Sequence, residues 1–142
     1  MRHYEASAVI GADAATIWAI LTDAPAYASW RSGVIGVDGV VALGQRITVR
    51  SEASPRRAFP VRVTTLDAPR RMVWSGGMPL GLFRGVRTYS LEPQGPAQTL
   101  FTMREEYSGP LLGLIWRSMP DLQPSFDTFA KGLKERAERG TA

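Results

Sequence analysis

Three residues on two neighbouring stretches have side chains that can do acid–base chemistry together. Arg87 and Tyr89 stand two apart in Gly85-Val86-Arg87-Thr88-Tyr89-Ser90-Leu91-Glu92-Pro93, and Glu105 stands among Phe101, Met103 and Tyr107 in Leu100-Phe101-Thr102-Met103-Arg104-Glu105-Glu106-Tyr107-Ser108-Gly109. Strand side chains alternate between faces, so Arg87 shares a face with Tyr89, and Glu105 shares one with Phe101, Met103 and Tyr107. If the aromatic face turns inward, a carboxylate, a guanidinium and a phenol enter one apolar space. Glu105 would there act as general acid or base, and Arg87 or Tyr89 would stabilise a developing oxyanion. A structural ion pair between Glu105 and Arg87 uses the same spacing and needs no chemistry.

Other chemistries are closed by residue type. There is no cysteine, which removes disulfides, thiolate nucleophiles, zinc–thiolate sites and iron–sulfur clusters. His3 is the sole histidine, so neither a histidine-rich metal site nor a serine–histidine triad can be assembled within one chain. Adjacent strand residues point to opposite faces, so Glu105 and Glu106 cannot form a glycosidase pair. The glycines at 76, 77, 81 and 85 are followed by no Gly-Lys-Ser/Thr and open no helix, so they match no phosphate-binding loop. No metal and no cofactor is expected.

The elements that must position the candidates follow from periodicity. His3 to Ile10 alternates as a strand, Gly11-Ala12-Asp13 breaks it, and Asp13 is placed to cap a helix that buries Ile17, Ile20 and Leu21. Thr22-Asp23-Ala24-Pro25 ends that helix, and Ala26 to Trp30 predicts a second short one. Strands are predicted over Val34–Asp38, Gln45–Glu52, Ala58–Leu66 and Arg71–Ser75, with Pro55 and Pro60 pointing to an edge or bulge. Gly76-Gly77-Met78-Pro79-Leu80-Gly81 is an apolar loop too rich in Gly and Pro for regular structure. Strands over Phe83–Glu92 and Thr99–Tyr107 flank the hairpin turn Pro93-Gln94-Gly95-Pro96-Ala97. Pro110 suits a first helical position, and Leu111, Ile115, Met119, Leu122, Phe126, Phe129 and Leu133 form one apolar stripe that Pro120 and Pro124 must kink or interrupt. Lys134 to Ala142 turns charged and is expected to fray. Sequential antiparallel strands followed by a long helix predict an α+β domain, with residues 1–142 as a single unit.

No apolar run approaches the ~20 residues that span a bilayer and the first residues have no signal-peptide character, so a cytoplasmic protein without stable membrane insertion is expected. The net charge of +4 is spread over scattered arginines, with only Arg56-Arg57 and Arg70-Arg71 adjacent. A solvated face explains that distribution better than a specific nucleic-acid site.

The run Val9-Ile10-Gly11-Ala12-Asp13-Ala14-Ala15-Thr16-Ile17-Trp18, then Leu21-Thr22-Asp23 and Trp30, resembles the first strand, paired helices and following tryptophan of the START/Bet v 1-like helix-grip superfamily, the polyketide cyclase/dehydrase and lipid-transport group. The stretches 85–93 and 106–110 and the helix through Leu133-Lys134 continue the resemblance over nearly the whole chain. It implies a curved antiparallel sheet of about seven strands around the C-terminal helix, two short helices after the first strand, and a cavity for hydrophobic molecules. Trp30 is followed by Arg31-Ser32-Gly33, where many relatives have an Asn-Pro type turn.

A cavity of that kind needs apolar walls and a few placed polar groups. The wall candidates are Trp30, Trp74, Met78, Phe83, Tyr89, Phe101, Met103, Tyr107, Leu112, Trp116, Met119 and Phe126, with Leu80 and Phe129 beside them; for any one of them taken singly, plain core packing is the simpler explanation. The expected partner is an apolar or lipid-like small molecule, bound or carried. The alternatives are a cyclase or dehydratase using Glu105, Arg87 and Tyr89, and a protein-interaction module of co-chaperone type. Oligomeric state is left open.

Overall fold

The computed structural model describes residues 2–140. Seven strands form one antiparallel sheet in the order β1-β7-β6-β5-β4-β3-β2: β1 (Arg2–Ile10), β2 (Val34–Asp38), β3 (Arg46–Ser51), β4 (Phe59–Asp67), β5 (Arg71–Gly77), β6 (Arg84–Gly95) and β7 (Gln98–Ser108). Register shifts in β2, β4 and β6 bend the sheet around its inner face. Only the first connection crosses from one edge to the other, and it carries helix α1 (Ala14–Thr22) and a 3-10 turn (Ala24–Ser29). Helices α2 (Leu112–Ser118) and α3 (Gln123–Gly140) follow β7. This is the helix-grip fold.

Local chemistry explains the boundaries. Asp13 caps α1, its carboxylate accepting from Thr16 N at 2.9 Å. The contact holds the Asp13 pKa below its ordinary value. Pro120 separates α2 from α3, and Pro124 sits in the first turn of α3, where its missing N–H leaves no helical bond unmade. Pro110 lies two residues before α2 instead of opening it, because Leu111 occupies the cap. The β6–β7 turn is tighter than the composition predicts, since both strands run on to Gly95 and Gln98.

The charged end of the last helix does not fray over its described part. Ala137 and Leu133 are fully buried, and the polar face of α3 serves the edge strand β1. Gln123 Nε2 donates to Glu5 O at 2.9 Å, Lys134 Nζ donates to Val9 O at 2.9 Å, and Glu138 accepts from Gly11 N at 2.8 Å as well as from Lys134. Unpaired groups of an exposed edge thus gain partners from the helix. Residues 141 and 142 lie outside the described part.

The core runs between the inner face of the sheet and α1, the 3-10 turn and α3. Gly132 lets α3 approach the first connection: a Cβ there would stand 1.8 Å from Arg31 O. The rings of Tyr27, Trp74, Tyr89, Phe101 and Phe129 fill the space under α3, with neighbouring centroids 5.0–6.4 Å apart. Tyr27 is fixed by donating its hydroxyl to Leu21 O at 2.5 Å.

Candidate functional site

Arg87 on β6 and Glu105 on β7 are register partners, and both side chains face inward. Arg87 Nε donates to Glu105 Oε1 at 2.7 Å, with the side chains only 23% and 16% exposed. The guanidinium carbon also stands 4.8 Å from the centre of the Phe126 ring on α3, a cation–π contact that ties helix to sheet. Burial opposes the charge of Arg87, but Glu105 and then Tyr89 outweigh it and raise its pKa.

Around this pair lie three buried polar atoms with no hydrogen-bond partner: Trp74 Nε1, Tyr89 Oη and Tyr107 Oη. Trp74 is the β5 register partner of Arg87, Tyr89 is two residues along β6, and Tyr107 is two residues along β7 from Glu105. The phenols lie close beside the pair, Tyr89 near Arg87 and Tyr107 near Glu105, within electrostatic reach but outside strict hydrogen-bond geometry. Burial raises the Tyr89 pKa, with Arg87 pulling against it; burial and then Glu105 raise that of Tyr107.

Two glycines face each other beside the pair, Gly76 on β5 and Gly85 on β6, and neighbouring groups pack over both. A Cβ on Gly85 would come within 3.3 Å of Glu105 Oε2 and 3.5 Å of the Tyr107 ring, so the missing side chain is what lets both lie against the strand. Glu105 Oε2 accepts no hydrogen bond from Arg87, whose contact goes to Oε1.

An aromatic group closes this end. Trp116 on α2 stacks on Tyr4 with centroids 5.2 Å apart and meets Tyr107 edge-on at 5.6 Å; Phe83 stacks on Tyr107 at 6.0 Å, and Tyr4 lies 5.6 Å from Phe126. No residue of α2 is buried. Two surface concavities lie elsewhere: a groove of about 380 Å³ beside Trp30, Arg31 and Gly132, and one of about 120 Å³ on β2 and β3.

The structure therefore brings Arg87, Tyr89, Glu105, Trp74, Phe101, Met103, Tyr107 and Phe126 onto one inner surface, with Phe83 and Trp116 at its end. Trp30 packs apart from it, against Tyr27 and Phe129 at 5.5 and 5.3 Å. Met78 is in the exposed β5–β6 loop, and Leu112 and Met119 are half-buried at the two ends of α2. Tyr4 was missed by sequence reasoning although the alternation of the first strand places it inward, opposite Glu105. The sequence places Gly76 in a loop and Gly85 in a strand, without showing that the two pair with each other. Among the described residues no group of His, Asp and Glu could hold a metal, and no helix is long and apolar enough to cross a membrane.

Solved structures with this arrangement share the fold at low identity. A START superfamily protein from Mycobacterium smegmatis is 19% identical, with a TM-score of 0.72 over 96% of this chain and 97% of that one. The Zhui aromatase/cyclase from Streptomyces sp. R1128 is 14% identical, with a TM-score of 0.78 over 99% and 96%. A point mutant of norcoclaurine synthase from Thalictrum flavum, in complex with a transition-state analogue, is 15% identical, with a TM-score of 0.74 over 99% and 96%. No curated protein matches the chain. The model of the polyketide cyclase / dehydrase and lipid transport family matches residues 1–138, in agreement with the sheet order and the gripped helix, and the chain belongs to that family.

Proposed function

We propose that this protein binds a small, mostly apolar molecule bearing one or more oxygen atoms on the inner face of β5, β6 and β7. The observation that carries the reading is the set of three buried, unpartnered polar atoms around the Arg87–Glu105 pair. Buried polar groups in folded proteins are nearly always satisfied, and a cluster of exceptions beside an ion pair fits a site waiting for an acceptor. A carbonyl, phenol or enol oxygen could take hydrogen bonds from Trp74 Nε1 and the phenols, while the surrounding rings would shed water from its carbon frame. Because rings fill much of the interior, entry requires α2 and its Trp116 to swing outward, which the absence of buried residues on α2 favours.

The test is displacement of an environment-sensitive dye, with native mass spectrometry of the purified protein for carried molecules. Tyr89→Phe and Tyr107→Phe should each weaken binding of an oxygenated aromatic ligand about fivefold, the loss of one hydrogen bond. Absence of both a carried molecule and a displaceable dye would sink the reading.

A second reading has one specific observation in its favour. Glu105 Oε2 is turned toward Gly85 and Tyr107, away from its bond to Arg87. An oxygen so placed is suited to take a proton from a carbon next to a ligand carbonyl, with Arg87 or Tyr89 holding the oxyanion, and a cyclase or dehydratase would use it in that way. Glu105→Gln should then abolish turnover of an identified substrate while leaving its binding within about twofold; unchanged turnover would remove Glu105 from the chemistry.

A further inference from the structure

The β5–β6 loop presents apolar side chains to solvent in a way the core does not explain. Leu80 is 96% exposed and is the one non-glycine residue with positive φ among those described, at 61°. Met78 and Leu82 on the same loop are 44% and 36% exposed, and Leu114 on α2 is 69% exposed. Leu111 N donates to Leu82 O at 2.9 Å, so the loop and the start of α2 form one tip.

The register places the β3–β4 loop at the same end, because Val61 near the start of β4 pairs with Gly76 near the end of β5. Phe59, 43% exposed, lies there with exposed Arg56 and Arg57. Exposed Arg84 and Arg117 flank the tip itself. Through residues 50–59, 76–87 and 107–118 Glu52 is the only acidic residue, whereas Asp13, Asp38, Asp67 and Glu92 lie at the opposite end of the sheet, interspersed with exposed Arg46, Arg70 and Arg71. Exposed Leu and Met side chains rimmed by arginine, without carboxylates between them, have the chemistry of a surface that inserts shallowly among acyl chains while its cations meet anionic headgroups.

We infer that the tip formed by Met78, Leu80, Leu82 and Leu114, with its rim of Arg56, Arg57, Arg84 and Arg117, docks peripherally on an anionic lipid bilayer. The inference rests on surface residues and is independent of what occupies the interior. A protein partner would also cover an apolar tip, but the four rim arginines with a single carboxylate, Glu52, in the same segments favour a uniformly anionic surface.

Flotation of the full chain with vesicles tests it. Vesicles of phosphatidylcholine containing phosphatidylglycerol should carry the protein upward, and pure phosphatidylcholine vesicles should carry far less. The double variant Leu80→Ser/Leu114→Ser should cut the bound fraction roughly tenfold, and Arg84→Gln/Arg117→Gln should cut it severalfold in low salt. Val40→Ser/Leu43→Ser, which removes exposed apolar side chains at the opposite end, should float like the wild type. Circular dichroism would verify that each variant is folded. No flotation with anionic vesicles, equal flotation with neutral ones, or equal loss in the Val40/Leu43 control would overturn the inference; so would Leu80-dependent capture of a protein by a chain that does not float.

Discussion

Arg87 meets three kinds of partner at once: a carboxylate on the next strand, a ring on α3 and two phenols that lack hydrogen bonds. Removing it strands a half-buried carboxylate, so Arg87→Met should destabilise the fold by about 2 kcal/mol, and Glu105→Gln by less because the amide keeps an acceptor. A double-mutant cycle in urea should return a coupling of about 1–2 kcal/mol, while additivity would mean that the pair is energetically idle. Protonation of the buried phenols makes a second prediction. Tyr27, Tyr89 and Tyr107 have pKa values above the ordinary 10.0, chiefly through burial. Their folded-state protons add stability that is fully present below 10.0 and is lost as pH rises toward the folded values, since the unfolded chain then gives up protons that the folded one keeps. Denaturation midpoints should fall as pH passes 10.0, with the tyrosinate absorbance of these three appearing together with unfolding; phenolate signal from more than one of the four tyrosines in the still-folded protein would contradict the burial. At this scale much was legible. Strand parity alone puts Arg87 with Tyr89 and Glu105 with Tyr107, because alternation is a property of the backbone; that both faces turn inward comes from the packing of Phe101, Met103 and Tyr89 into the core. The unpartnered atoms were not legible, since satisfaction depends on neighbours several strands away.

Elements hold that group in place through close approaches that only glycine permits. Gly132→Ala should cost about 2 kcal/mol or more, because the new methyl meets the Arg31 carbonyl and the backbone must move. Gly113→Ala in α2 meets nothing within 4 Å and should be neutral or stabilising by up to about 1 kcal/mol, the ordinary helix preference for alanine. Chemical denaturation of the two variants checks the pair, and equal effects would contradict the packing described. Strand order and the long gripped helix could be read from the chain because alternation, proline and glycine mark their limits. The persistence of α3 past Lys134 could not. Its charged residues look like a fraying end until Lys134 and Glu138 are seen bonded to Val9 and Gly11, more than a hundred residues away in sequence.

The whole molecule has two unlike ends. One carries the apolar tip, the basic loops and the α2–Trp116 closure; the other mixes Asp13, Asp38, Asp67 and Glu92 with Arg46, Arg70 and Arg71. The interior group reaches toward the first end, where Phe83 and Trp116 cover it, so the outward swing of α2 proposed for ligand entry would occur beside the proposed bilayer contact. Resemblance to a family of binders and enzymes led to the expectation of a hollow, but aromatic packing fills most of it, a matter of side-chain volume that periodicity does not report. The central claim is that polar atoms around Arg87 select an oxygenated ligand among apolar walls. Titration with a matched pair, an aromatic ketone and the hydrocarbon of the same frame, followed by tryptophan fluorescence, tests it most directly. The ketone should bind about tenfold more tightly, and Tyr107→Phe with Arg87→Met should erase that preference. Equal affinity for the two ligands, or a preference that survives both substitutions, would contradict it.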